Sequence, residues 1–127
     1  MDRFVIEGGF PLRGKVTPSG NKNETLPLLA ASLLTDERIV LRNVPRIRDV
    51  RTMLGLLAGL GVDIEELGAH EVALQARRIV RTDLDPTLCG EIRASILLAG
   101  PMLACCGRVE LPPPGGDVIG RRRVDTH

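Results

Sequence analysis

With 127 residues, 43% of them hydrophobic, the chain has material for one globular domain with a core, and its composition excludes a disordered or coiled-coil protein. Seventeen basic residues against sixteen acidic ones leave a formal charge of +1, so no overall field draws the protein to nucleic acid or to an anionic membrane, and any anion site has to be local. Cys89, Cys105 and Cys106 are odd in number, and the last two are adjacent in an apolar run, which suits neither a disulfide framework nor a zinc site. Cys105 and Cys106 read as small buried apolar groups in a reducing cytoplasm.

In chain order, "RFVIEGG" and "LRGKVTP" read as two short strands joined at Gly8–Gly9–Phe10–Pro11, a hairpin, because β-branched residues alternate between glycine and proline punctuation. "ETLPLLAASLLT" has the density of a buried helix whose mouth lies near Lys22 to Thr25. Pro27, which has no N–H to give, must sit in its first turn or kink it. "RIVLRNV" reads as a strand, "DVRTMLGLLAGLG" as an amphipathic helix from Asp49 to Gly61, and "VDIEEL" and "HEVALQA" as two further strands. "IRASILLAGPMLACCG" reads as a second apolar helix, "RVELP" as a strand, and "PPPGGDVIGRRRVDTH" as a loop rich in proline, glycine and arginine. No basic-then-apolar leader opens the chain, and the apolar stretches around 26–34 and 94–106 are too short to span a bilayer, so a soluble cytoplasmic protein is expected.

The order suggests an internal repeat of roughly seventy residues. Leu26–Leu34 lies over Ile96–Ala104, Val40–Leu41 over Val109–Glu110, and Arg48–Asp49 over Arg123–Asp125 with small shifts. The second copy stops at His127 where the first continues, so an incomplete protein is expected.

Lys22 is one of only two lysines in the chain and stands between two asparagines at the mouth of an apolar helix. Arg93 opens the second apolar helix, and Arg121, Arg122 and Arg123 lie in the glycine-rich loop. Helix mouths carry unpaired N–H groups and a positive dipole end, so a cation added there makes a local anion site. Arginine adds a two-pronged donor that matches phosphate or carboxylate, whereas lysine adds a compact charge. Taken singly each has an ordinary reading: a solvated arginine, a surface lysine, asparagines at 21 and 23 that cap or turn. In "PPPGGDVIG", three prolines stiffen the entry, two glycines allow close approach, and Asp117 follows with apolar neighbours, as in a lid carrying one polar group.

Together "SGNKN", "LRNVPRIRDVRTMLGLL", "IRASILLAGPMLA" and "LPPPGGDVIGRRRVDTH" resemble, in order and separation, the N-terminal part of the UDP-N-acetylglucosamine 1-carboxyvinyltransferase family of enolpyruvyl transferases. The resemblance covers essentially the whole chain. It implies an α/β fold of α+β type, an inside-out α/β barrel built of repeated βαβαββ units and here truncated. Residues 1–20 would be strands that pair with a second domain, and residues 21–127 an incomplete first domain.

The implied reaction moves the enolpyruvyl group of phosphoenolpyruvate to the 3′-hydroxyl of UDP-N-acetylglucosamine, the first committed step of peptidoglycan precursor synthesis, with no cofactor or metal. By matching positions, Lys22 contacts phosphoenolpyruvate, Asn23 binds the sugar near the reacting hydroxyl, and Arg93 and Arg122 hold the phosphate. Asp117 stands where many members carry a cysteine that protonates the methylene carbon and is alkylated by the epoxide fosfomycin. For aspartate to fill that role, its pKa must rise from a reference value of about 3.9 to near neutrality, a change worth about 4 kcal/mol. Neighbouring arginines act against that rise, whereas bound phosphoenolpyruvate, loop closure and desolvation act for it.

A sister transferase using shikimate 3-phosphate is the nearest alternative, disfavoured by "GNKN" around the lysine. Another is a fragment without turnover, because the family's acceptor of the hydroxyl proton and most of its nucleotide pocket belong to parts this chain does not contain. Nucleic-acid binding through Arg77–Arg78 and Arg121–Arg123 lacks both net charge and stacking surface, since Phe4 and Phe10 are the only aromatic residues. No membrane contact and no obligatory protein partner are expected.

Overall fold

The computed structural model describes residues 3–116, so Asp117 and Arg121–Arg123 lie outside the described residues. Helix α1 spans Lys22–Ala31 and is capped by Asn21, whose side chain accepts from the Asn23 N–H at 2.7 Å. The Asn21 carbonyl takes both the N–H and the hydroxyl of Thr25. A capping asparagine satisfies donors that the helix itself leaves unpaired, and Glu24 in the first turn complements the positive dipole end. Pro27 is the sixth residue of α1, beyond the first turn where a proline costs least. It withholds the N–H that the Asn23 carbonyl would otherwise accept.

Strand β1 (Ile39–Arg42), helix α2 (Arg48–Gly59) and the hairpin of β2 (Asp63–Gly68) and β3 (Glu71–Gln75) follow where the sequence indicates them. The sheet has the order β1-β3-β2 and is antiparallel throughout, with Val40 opposite Ala73 and Ile64 opposite Leu74. Val50, Met53 and Leu57 recur at helical spacing along α2 and are buried together with Leu26, Leu29 and Leu33 from the first helical segment and Val72 and Leu74 from β3. The mixed helix-and-strand class expected from the sequence is therefore present.

Four local expectations are corrected. Residues 3–20 contain no strand, and their apolar side chains stand in solvent, Phe4 at 90% and Leu12 at 98% exposure. A two-stranded hairpin with nothing packed on it is at best marginal in water, so alternation alone does not produce strands here. The single helix expected over 92–107 is broken. A short helix α3 (Pro86–Glu91) precedes it, the span itself opens with an extended Ile92 and a 3-10 helix Arg93–Leu98, and its α-helical part is only α4 (Ala99–Cys106). Pro101 cannot donate to the Leu97 carbonyl, which removes one of the bonds a continuous α-helix would need. "RVELP" forms one parallel bridge, Glu110 to Asp83, rather than a strand. The prolines that follow from position 112 have no N–H to extend a ladder.

The fourth correction concerns the thiols: Cys105 is exposed and Cys106 half-buried, while Cys89 is fully buried. The Cys105 thiol lies 3.0 Å from the Leu33 carbonyl, a polar partner that an apolar interior position would not require. Burial pushes the Cys89 thiol pKa up, opposed in part by its hydrogen bond with Ser95. A raised folded value means that this contribution to stability is fully present below the ordinary thiol range and is lost as pH rises through the folded value. In the 127-residue chain a small thiol reagent at neutral pH should modify Cys105 and leave Cys89 untouched until denaturant is added. Peptide mass mapping checks this, and rapid native labelling of Cys89 would contradict the packing described.

Candidate functional site

Three helical starts converge on one open cavity of about 380 Å³. The first turn of α1 brings Lys22 and Asn23, the first turn of α2 brings Arg48 and Asp49, and the 3-10 helix brings Arg93 and Ala94. Leu26, Glu91, Ile92 and Gly116 complete the lining. Each start presents N–H groups that its own helix does not use, so the positive ends of local dipoles meet here. Three basic and two acidic side chains line the cavity, which leaves it cationic.

The charges are tied in pairs. Lys22 Nζ lies 3.3 Å from Asp49 Oδ2, both side chains remaining partly exposed at 50% and 37%. Arg48 lies 3.5 Å from Glu91 Oε2, which also accepts a 2.9 Å hydrogen bond from the Thr52 hydroxyl. Exposed pairs of this kind contribute little to stability, about 0–1 kcal/mol each, so their effect here is to orient side chains.

The segment before Asp117 is seated against the same place. Gly115 donates its N–H to the Cys89 carbonyl at 2.9 Å, and a Cβ added at Gly115 would stand 1.6 Å from the Gly90 carbonyl oxygen. At Gly116, φ is +91° and an added Cβ would lie 2.9 Å from the Arg93 nitrogen. Both glycines of "PPPGG" are thus required by close approach of backbone to backbone.

Of the residues indicated by sequence, Lys22, Asn23 and Arg93 meet at this cavity, while Asp117 and Arg122 lie outside the described residues. Arg48, Asp49 and Glu91 were not indicated as site residues. In the sequence Arg48–Asp49 marks the repeat, and an acidic residue in the first turn of a helix after "RIR" is the visible signal for more. Glu91 carries no such signal, since its partner Thr52 is remote in sequence. A separate hollow of about 290 Å³ lies between the start of α2 and the β2–β3 hairpin, lined by Arg46, Arg51, Glu66, His70 and Glu71 among others. Its charges are of both signs and none of the indicated residues reach it.

The profile of the EPSP synthase (3-phosphoshikimate 1-carboxyvinyltransferase) family matches residues 6–127. The chain belongs to this family. Within the EPSP synthase family, the chain is 55% identical over 125 residues to the UDP-N-acetylglucosamine 1-carboxyvinyltransferase of Bradyrhizobium diazoefficiens, covering 98% of this chain and 29% of that protein. It is 48% identical over 127 residues to the UDP-N-acetylglucosamine 1-carboxyvinyltransferase of Treponema denticola, covering 100% of this chain and 30% of that protein. Among solved structures, the enolpyruvyl transferase NikO from Streptomyces tendae is similar with a TM-score of 0.68 at 25% identity, over 79% of this chain and 23% of that one. The chain therefore spans about 30% of the length of the curated relatives it matches. No helix among the described residues is long and apolar enough to cross a membrane.

Proposed function

We propose that this chain is the opening part of a cytoplasmic carboxyvinyltransferase that moves the enolpyruvyl group of phosphoenolpyruvate to the 3′-hydroxyl of UDP-N-acetylglucosamine, releasing phosphate and initiating peptidoglycan precursor synthesis. The observation that carries this reading is the meeting of Lys22 and Arg93, remote in sequence, on one cationic cavity beside Asn23. The names of the relatives favour this acceptor over shikimate 3-phosphate. Residues 1–20 would find their pairing partners in a second domain, and residues 21–127 would begin an inside-out barrel of βαβαββ units, which accounts for apolar side chains left in solvent at Phe4, Ile6 and Leu12.

In this reading Lys22, Arg93 and Arg122 hold phosphoenolpyruvate through its charged groups, each matching an anion with a fixed donor. Asn23 places the sugar hydroxyl. That oxygen bonds to C2 of phosphoenolpyruvate while Asp117 delivers a proton to the methylene carbon, giving a tetrahedral adduct. Loss of that proton and of phosphate restores the double bond in the product. The hydroxyl proton goes to an acidic group supplied by the rest of the protein. Nothing is oxidised or reduced in this transfer, so no redox cofactor is called for, and the resemblance implies no other.

Phosphate release by the full-length protein, given phosphoenolpyruvate and each acceptor in turn, tests the reading. Release is expected with UDP-N-acetylglucosamine and not with shikimate 3-phosphate, and the reverse pattern would assign the sister reaction. Residues 1–127 alone are expected to give no turnover, and the intact protein from its source is expected near three times 13.7 kDa.

A further inference from the structure

Glu91 is the last residue of α3 and stands two positions before Arg93. Its Oε2 accepts from the Thr52 hydroxyl at 2.9 Å and lies 3.5 Å from the Arg48 guanidinium, so one carboxylate oxygen grips two residues of α2 that are a turn apart. Thr52 is buried and the Glu91 side chain is 31% exposed, so the hydrogen bond is shielded from water while the ion pair opens to the cavity. A carboxylate in a cavity that attracts anions works against ligand affinity through space. Its presence calls for a compensating effect, and the geometry supplies one. The N-cap Ile47 gives α2 no side-chain cap, and Glu91 joins the first turn of α2, which carries Arg48 and Asp49, to the end of α3 two residues before Arg93.

We propose that Glu91 is a positioning residue for the transfer reaction: it holds the first turn of α2 at a fixed distance from Arg93, so that Arg48, and Lys22 through Asp49, face the bound phosphoenolpyruvate correctly. The inference rests on the function proposed above. It predicts an unusual separation of effects. Removing the charge raises the positive potential of the cavity, so binding of phosphoenolpyruvate does not weaken, whereas loss of alignment slows the chemical step.

Steady-state kinetics on the full-length protein test it. Glu91→Gln, which keeps an acceptor for Thr52, is expected to lower kcat about tenfold with the KM for phosphoenolpyruvate unchanged or lower. Glu91→Asp should recover part of kcat. Arg48→Met should show a similar loss, and combining it with Glu91→Gln should add little, because the two changes break one tie. A parent that releases no phosphate overturns the functional reading and this inference with it. With an active parent, Glu91→Gln at parental kcat, a raised KM alone, or fully additive losses in the double variant each overturn the inference by itself. Should Glu91→Gln fail to fold, the Arg48→Met and Glu91→Asp kinetics decide: parental kcat in both overturns it.

Discussion

Gly115→Ala is expected to lower kcat/KM of the full-length protein by about a hundredfold and to lower its stability by about 1–3 kcal/mol. The cause is steric and lies in the backbone. A methyl group at this position would stand 1.6 Å from the Gly90 carbonyl oxygen, and that oxygen belongs to α3, which is anchored by the Asp85 cap and by buried Cys89. Neither side can yield by rotating a side chain, so the loop must lift away and give up the 2.9 Å bond from the Gly115 N–H to the Cys89 carbonyl. Gly116 then leaves Arg93, and Asp117, the next residue, is displaced with it. A misplacement of about 1 Å in a positioning element is enough for a hundredfold loss.

Gly90→Ala is the control, because a Cβ at Gly90 meets nothing within 4 Å and alanine favours a helix. It should be neutral or mildly stabilising although the two glycines touch. Denaturant midpoints and phosphate-release kinetics on both variants check the pair. Equal behaviour of Gly115→Ala and the parent would mean that the loop is not seated on α3.

What the sequence made legible divides along a physical line. Features set by neighbours a few residues away were readable: the Asn21 cap, the 3.6-residue spacing of Val50, Met53 and Leu57, and the alternation in β2 and β3. Helix α3 is of the same kind, since Asp85 followed by Pro86 is a cap and first-turn signature, although its six residues carry too little apolar periodicity to announce a helix by pattern. Features set by absent or remote partners were not readable. The alternation of Phe4, Ile6 and their neighbours describes what a strand would need rather than what covers it. At the cavity, Lys22 and Arg93 were legible because each begins a helical segment. The Lys22–Asp49 and Arg48–Glu91 ties were not, since they depend on how three helical starts are brought together.

Asp117→Asn is expected to lower kcat of the full-length protein by about 10²–10⁴-fold, the range contributed by a positioned acid or base, while leaving UDP-N-acetylglucosamine affinity near its parental value. Asparagine matches aspartate in size and keeps its polarity but has no proton to deliver to the methylene carbon. On the proposed reading the sugar is held at Asn23, and its binding would not depend on that proton. The requirement on the parent is strict, because Arg121–Arg123 follow Asp117 closely in sequence, and neighbouring arginines ordinarily keep a carboxyl group ionised. On the function proposed above, phosphoenolpyruvate supplies the opposing charge, and Asp117 would become an acid only in the loaded complex. Two measurements therefore bear on the same group. Isothermal titration with the nucleotide sugar should separate Asp117→Asn binding from its lost turnover, and near-parental turnover would remove Asp117 from the reaction. Intact mass after prolonged incubation with fosfomycin should show no covalent adduct on the parent, because a carboxylate is a weaker nucleophile than a thiolate. A time-dependent mass increase localised to Asp117 would overturn the expected insensitivity and show that the carboxylate reacts as a nucleophile, whereas the turnover of Asp117→Asn decides its part in proton delivery.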